Sequence, residues 1–164
     1  MERPLSLDKS NSEKWMSRLI RRAGHTGEIG EVPVSALVLD NKGRCIGYGS
    51  NKRECGKDPL GHAELLAIRQ AAWIKGDWRF NECTLIVTLE PCPMCAGALT
   101  QVRMGQVIFG TYDHKRGGLG GTIDLSNHPS AHHKMIVIGG ILEDQTKKQL
   151  QGWFKQQRQR SHEN

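Results

Sequence analysis

Two cysteines near the middle of the chain have a spacing that could bind a metal ion or form a redox pair. Cys92 and Cys95 lie in the segment EPCPMC, and Pro93 follows the first of them. Proline suits the first turn of a helix, where its missing N–H group would have no partner. Cysteines at positions i and i+3 then share one helix face, and the helix dipole favours thiolate over thiol. This pattern alone leaves zinc, redox and structural uses open.

A histidine and a glutamate upstream point to zinc. His62 and Glu64 lie in the segment GHAELLA, at the start of a second predicted helix. With Cys92 and Cys95, His62 gives three zinc ligands and leaves one tetrahedral position open, as catalytic zinc sites do. Zinc lowers the pKa of a bound water toward ~7, and Glu64 is free to take and return its proton. We therefore expect one Zn²⁺ per subunit, with Glu64 as the catalytic residue.

The combined pattern also suggests a reaction. H-x-E followed by P-C-x-x-C, each at the start of a helix, is an established mark of zinc deaminases that act on nucleobases. The expected chemistry is hydrolytic deamination, in which water replaces an amino group by a carbonyl and ammonia leaves. A lone HxE motif would carry little weight, because it is common in unrelated sequences.

The composition is that of an ordinary globular domain. The chain has 164 residues, of which 37% are hydrophobic and 24% charged, enough for a single self-sufficient core. No apolar run approaches the ~20 residues of a membrane span, and the polar N-terminus lacks the features of a secretory signal. We therefore expect a protein of the cytoplasm or of an organellar matrix. The five cysteines do not suggest a disulfide framework in such a compartment.

The charge is strongly basic, with a formal net charge of +6. The cationic side chains cluster in three parts of the chain: Arg18, Arg21 and Arg22; Lys115 and Arg116; and Lys147, Lys148, Lys155, Arg158 and Arg160. Such clusters could face the phosphates of a nucleic acid, or could belong to a well-solvated surface. The sequence leaves both interpretations open.

Strands and helices alternate along the chain, which indicates a layered α/β domain. The sheet should be mixed, because it begins with a hairpin around Asn41 and Gly43. Hydrophobic patterning predicts helices over 12–23, 62–76, from Pro93 onward and over 143–160, and strands over 32–40, 44–51, 84–89, 106–110 and 135–141. The segment 24–33 is expected to break the first helix, and Leu150, Trp153 and Phe154 to be the buried stripe of the last.

Longer peptides around these motifs resemble the bacterial tRNA-specific adenosine deaminases. The similarity covers about residues 12–158 and includes DPLGHAELLAIRQA, TLEPCPMCAGAL and VIFGTYDHKRGG. The resemblance implies a three-layer α/β/α sandwich with a mixed five-stranded sheet of the cytidine deaminase type. It implies a single domain over 1–164 with its core at about 12–158 and flexible segments at 1–10 and 159–164. It also implies a homodimer that converts the wobble adenosine of a tRNA anticodon stem-loop to inosine.

The resemblance assigns residues to a base pocket as well. Asn51 matches the side chain that recognises the flipped base, Val34 and Leu89 match apolar walls of the pocket, and Ala63 matches a backbone contact. From the sequence alone, Asn51 could equally be an ordinary turn residue.

Further contacts outside the base pocket follow from the same resemblance. Asp113 and His128 occupy positions that approach the target nucleotide and its neighbours, and Lys115 and Arg158 match phosphate contacts. Polar loop residues such as Asp113 and His128 could instead cap backbone groups. The glycine-rich loop 117–121 is interpreted as a flexible segment near the substrate.

Four positions depart from the family pattern. Ser35 replaces a usual glycine beside the pocket, Gly61 a common alanine, Gly121 a frequent serine, and Trp153 one of two usual phenylalanines. Ser35 and Gly121 leave the contour of the pocket open.

Three other functions remain compatible with parts of this pattern. A small-molecule deaminase of the same fold, acting on guanine or cytosine, would use identical chemistry, but binding such a substrate would not require the strongly positive net charge. A zinc-stabilised RNA-binding subunit without catalysis would have no use for Glu64. A redox protein would cycle Cys92 and Cys95 through a disulfide and would not need His62.

Overall fold

The computed structural model describes residues 2–163. Its elements in chain order are α1 (Lys9–Glu28), β1 (Ser35–Leu39), β2 (Cys45–Ser50), α2 (Ala63–Lys75), β3 (Thr84–Leu89), α3 (Pro93–Gln101), β4 (Gln106–Thr111), β5 (Ile136–Ile138) and α4 (Glu143–His162). None of the helices among the described residues has the length and apolar character needed to cross a membrane.

The sheet is mixed, as the sequence predicts, and has five strands in the order β2-β1-β3-β4-β5. Strand β1 runs antiparallel to both β2 and β3, whereas β3, β4 and β5 run parallel to one another. One edge of the sheet therefore collects the carboxyl ends of β2, β3, β4 and β5. In sheets of this kind, ligands bind outside the carboxyl ends of the parallel strands.

Helices cover both faces of the sheet, which confirms the three-layer sandwich. Residues of α2 and α3 pack on one face against the side chains of Ala36, Leu85 and Val107. On the other face, α1 packs against Leu37 and Ile86. Helix α4 lies on the same side as α1. The alternation of side chains along each strand divides the core into these two layers.

Helix α1 is longer than predicted. The prediction that the segment 24–33 breaks it was wrong for residues 24–28, which are helical. The helix continues through Gly24 and Gly27 to Glu28. These glycines serve packing instead: a Cβ at Gly27 would lie 3.0 Å from the Trp153 ring, whose Nε1 donates a hydrogen bond to the Gly27 carbonyl at 3.0 Å. Close approach of α4 therefore offsets the poor helix propensity of glycine.

Two elements near the C-terminus also differ from the prediction. Strand β5 has three residues rather than the predicted 135–141: the regular ladder ends at Ile138, and the N–H groups of Gly140 and Ile141 then donate single hydrogen bonds to the Gly110 and Phe109 carbonyls. In α4, Phe154 is 41% exposed, whereas Thr146 is buried beside Gly110. The buried face of α4 thus begins at Thr146, about one turn before Leu150, where the predicted buried stripe begins.

Two glycines in β2 let α2 approach the sheet closely. Cβ atoms at Gly47 and Gly49 would lie 2.3 Å and 2.2 Å from the carbonyl oxygens of Ala67 and Ala63. No side chain fits in that space, so the helix backbone rests directly on the strand. This contact fixes the first turn of α2, which carries His62 and Glu64.

We expect Gly49→Ala to destabilise the protein, because the added methyl group must displace the helix backbone. Overpacking of this kind costs about 1–3 kcal/mol. The matched control is Gly152→Ala in α4, where an added Cβ meets nothing within 4 Å. There the better helix propensity of alanine should stabilise by roughly 0.5–1 kcal/mol. Urea unfolding of both variants measures the difference, and equal free energies of unfolding would contradict the close contact of β2 with α2.

Candidate metal centre

Two helix N-termini meet at the ligand-binding edge of the sheet. His62 is the N-cap residue of α2 and Cys92 the N-cap residue of α3, with Cys95 in the first turn of that helix. Neither N-cap side chain makes a capping hydrogen bond to its own helix. Both side chains are therefore available for another partner, and both lie where helix dipoles favour negative charge.

The three side chains face one another at distances that suit a tetrahedral metal ion. His62 Nδ1 lies 3.6 Å from Cys92 Sγ and 3.5 Å from Cys95 Sγ. With Zn–S bonds of ~2.3 Å and Zn–N bonds of ~2.0 Å, a tetrahedral site has an S···N separation of about 3.5 Å. The donor set therefore fits zinc, with Nδ1 as the histidine ligand. Among residues 2–163, the cluster contains only these three ligands, so a fourth position is open.

The two thiols differ in their readiness to ionise. The pKa of Cys92 is lowered to about 4, because the Cys95 thiol and His62 both hydrogen-bond to its thiolate and together outweigh the effect of burial. The pKa of Cys95 is raised, first by its hydrogen bond to Cys92 and then by burial. Without metal, the pair thus carries one thiolate and one thiol. Metal binding must release the Cys95 proton.

Glu64 is a buried carboxyl group next to the cluster. It lies in the first turn of α2 and is 4% exposed. Burial raises its pKa to about 7, and the nearby Cys92 thiolate adds to this effect, while its own backbone N–H, His62 and Cys95 oppose it. A carboxyl group with a pKa near neutrality is suited to both taking and returning a proton.

The predicted base-pocket residues lie together beside this cluster. Asn51 Oδ1 accepts a hydrogen bond of 3.0 Å from the Ala63 N–H, which fixes the amide so that its Nδ2 is the free donor. Val34, Leu89 and Ala63 all belong to the apolar cluster between the sheet and α2. The resemblance implies a backbone contact of Ala63 with the substrate, and in this structure the Ala63 N–H is bound to Asn51.

The remaining predicted contacts are more dispersed. Asp113 and Lys115 lie on the loop after β4, at the same edge of the sheet. Asp113 Oδ1 caps that loop by accepting hydrogen bonds of 3.0 Å from the backbone N–H groups of Lys115 and Arg116. His128 and Arg158 are exposed, and among the described residues neither has a hydrogen bond or ion pair with the metal cluster. The structure therefore groups Asp113 and Lys115 with the site more closely than His128 and Arg158.

Ser35 does not contribute to the pocket contour that its position suggested. Its side chain is on the strand face that packs against α1, because it alternates with Val34 and Ala36. It is fully buried there, and its Oγ lies 3.3 Å from Ser50 Oγ. The substitution of serine for glycine thus changes the opposite layer.

Glu90 was not among the residues predicted from the sequence. This residue lies between β3 and Cys92, is 2% exposed, and accepts three backbone hydrogen bonds from the loop after β4. The loop 117–121 is therefore held by hydrogen bonds rather than left free as predicted. The signal in the sequence was a glutamate directly after the predicted buried strand TLIVTL.

The chain matches known proteins over most of its length. The family model of the cytidine and deoxycytidylate deaminase zinc-binding region matches residues 9–111. The tRNA-specific adenosine deaminase of Bacillus subtilis is 37% identical over 151 residues, which cover 92% of this chain and 93% of that protein. Among solved structures, one from a study of A-to-I editing by tRNA:A34 deaminases has a TM-score of 0.79 at 32% identity, covering 83% of this chain and 98% of that one.

A guanine deaminase from Nitrosomonas europaea has a TM-score of 0.70 at 20% identity, covering 93% of this chain and 87% of that chain. At this identity, the likeness concerns the fold alone. The zinc-binding geometry, the family model and the relatives agree: the chain belongs to the cytidine and deoxycytidylate deaminase family of zinc proteins and, within it, to the tRNA-specific adenosine deaminases.

Proposed function

We propose that this protein deaminates adenosine to inosine at the wobble position of a tRNA anticodon. The observation that carries the proposal is the open three-ligand cluster of His62, Cys92 and Cys95 with the buried Glu64 beside it. A structural zinc site would be closed by a fourth ligand and would have no use for such a carboxyl group. A relative that is 37% identical over nearly the whole chain supplies the substrate class.

His62, Cys92 and Cys95 would hold the metal, and Glu64 would move the protons. Zinc, when bound, supplies a water that is activated for attack near neutral pH. Glu64 takes a proton from the attacking water as its oxygen adds to the carbon that bears the amino group. It passes this proton to the ring nitrogen, then takes the second proton from the newly added hydroxyl group as that group becomes the carbonyl, and delivers it to the amino group, which leaves as ammonia. Its raised pKa suits both steps, because neither protonation state is strongly favoured near pH 7.

The base would enter beside Asn51. The free Nδ2 of Asn51 can donate a hydrogen bond to an acceptor on the purine or its ribose, since Oδ1 is held by Ala63. Val34 and Leu89 provide the apolar walls. A base in a duplex cannot reach such a pocket, so the target must be flipped out, which costs least in a single-stranded loop.

Cationic and polar residues around the pocket would hold the RNA. Lys115 and Arg158 are exposed and would contact phosphates, while Asp113 and His128 would approach the target nucleotide and its neighbours. The net charge of +6 suits a polyanionic substrate better than a free base.

The protein would work as a homodimer in the cytoplasm. Leu60 and Met94 are 47% and 38% exposed and lie two residues and one residue, respectively, from a metal ligand in the chain, and exposed apolar side chains that lie together can mark an interaction site. A second copy of the chain would cover them. Sedimentation equilibrium should give twice the mass of one chain, and Leu60→Asp should shift the equilibrium toward the monomer.

The direct test uses an unmodified anticodon stem-loop with adenosine at the wobble position. We expect sequencing to find inosine at that position only, and we expect a chelator to abolish the reaction and added zinc to restore it. The matched substrate has the adenosine moved to the stem and should remain unchanged. Release of ammonia from free guanine or cytosine, with no inosine in the RNA, would instead favour the small-molecule deaminase.

Glu64→Gln should separate catalysis from metal binding. The amide is of equal size but cannot carry the proton, so kcat should fall by roughly 10²–10⁴-fold. The variant should still bind one zinc per chain by atomic absorption, whereas His62→Ala should lose it. Glu13→Gln, on the exposed side of α1, is the control and should keep full activity. Loss of zinc in Glu64→Gln would show that Glu64 is a ligand.

Lys115→Ala should weaken RNA binding through charge alone. Removal of one phosphate contact should reduce the slope of log KM against log salt concentration by roughly 0.7–1, with kcat nearly constant. The matched control is Lys42→Ala, in the hairpin at the opposite edge of the sheet. Equal slopes for both variants would remove Lys115 from the RNA interface.

A further inference from the structure

Glu90 is a buried carboxylate that is satisfied by backbone groups of a distant segment. It is 2% exposed and has no ion pair with any described residue. Its Oε2 accepts a hydrogen bond of 2.8 Å from the Asp113 N–H, and its Oε1 accepts hydrogen bonds of 3.1 Å and 2.7 Å from the N–H groups of Leu119 and Gly121. Burying a polar or charged group is costly unless it is hydrogen-bonded, so these contacts must form together.

The shape of the loop 113–121 is adapted to this carboxylate. A Cβ at Gly117 or at Gly121 would lie 2.3 Å from Glu90 Oε2, so neither position has room for a side chain. The loop therefore wraps around Glu90, and its two glycines provide the space for that side chain.

The same loop lies directly against the metal-binding segment. The Gly118 N–H donates a hydrogen bond of 2.8 Å to the Pro91 carbonyl, and a Cβ at Gly118 would lie 3.0 Å from the Cys92 backbone. Glu90 is thus anchored by its own chain to the segment of the zinc ligands and by its side chain to the loop. It fixes the distance between the two.

Asp113 extends this arrangement to the cationic end of the loop. Glu90 holds the Asp113 backbone, and the Asp113 carboxylate in turn accepts hydrogen bonds from the backbone N–H groups of Lys115 and Arg116. The two cations thereby take their positions relative to the metal centre from a series of hydrogen bonds that begins at Glu90.

We propose that Glu90 is a positioning residue, which fixes the conformation of the loop 113–121 and thereby the affinity of this protein for its RNA substrate. The substrate part of this inference rests on the proposed function, whereas the loop part does not. If the loop is displaced in some of the molecules, the apparent affinity for RNA is the intrinsic affinity multiplied by the fraction of molecules whose loop is in place. Glu64 lies on α2 and, among the described residues, has no hydrogen bond to the loop, so we expect binding to suffer more than turnover.

The test compares Glu90→Gln and Glu90→Ala with the wild-type protein. The glutamine oxygen can keep the Leu119 and Gly121 hydrogen bonds, but its NH₂ group cannot accept the one from Asp113. We expect hydrogen exchange to show a deprotected Asp113 amide in Glu90→Gln and deprotected amides throughout 113–121 in Glu90→Ala. If the loop of Glu90→Ala is in place about a tenth of the time, KM for the stem-loop should rise roughly tenfold. KM should rise less in Glu90→Gln, and kcat should change less than about twofold in both variants.

A control distinguishes positioning from simple loss of stability. Phe80→Leu removes part of a fully buried side chain at the opposite end of β3 and should lower the unfolding temperature without raising KM. Zinc content should stay at one per chain in all variants. Wild-type protection of the loop in Glu90→Ala, or an unchanged KM with a deprotected loop, would overturn the proposal. If the wild type forms no inosine, the proposed function fails, but the exchange data still decide the role of Glu90 in the loop.

Discussion

The site depends on one constraint: the first turns of α2 and α3 must point at the same spot beyond the edge of the sheet. Only then does His62 Nδ1 lie 3.5–3.6 Å from two sulfur atoms that belong to another helix. The parallel strands β3 and β4 and the close contact of β2 with α2 hold these two helices in place. The ligands are N-cap or first-turn residues, so small shifts of either helix axis would separate them.

The contact of β2 with α2 shows how far the constraint reaches. Gly47 and Gly49 have no catalytic role, yet they determine how near the backbone of α2 approaches the sheet. Asn51, at the end of the same strand, then caps the Ala63 N–H and links the strand end to the first turn of the helix. Strand, turn and helix therefore act as one unit that presents His62 and Glu64.

The sequence predicted the parts of this structure that depend on local spacing. The ligands follow from HxE and PCxxC at helix starts, and the three layers follow from alternating strands and helices. It failed where partners are distant in the chain: α1 passes through Gly24 and Gly27 because Trp153 packs there, and Ser35 faces α1 rather than the pocket. Glu90 was missed because its three partners are 23–31 residues away.

Glu64 and Glu90 show how the same residue type acquires two functions from its surroundings. Both carboxyl groups are at most 4% exposed and both lie next to zinc ligands in the chain. Glu90 accepts hydrogen bonds from three N–H groups of one loop, so its role is to hold that loop in place. Glu64 has fewer donors, and burial, together with the Cys92 thiolate nearby, raises its pKa and leaves it able to exchange a proton. The groups that surround a buried carboxyl group thus distinguish Glu90, which holds a loop through three N–H groups, from Glu64, which lies beside the metal ligands and can exchange a proton.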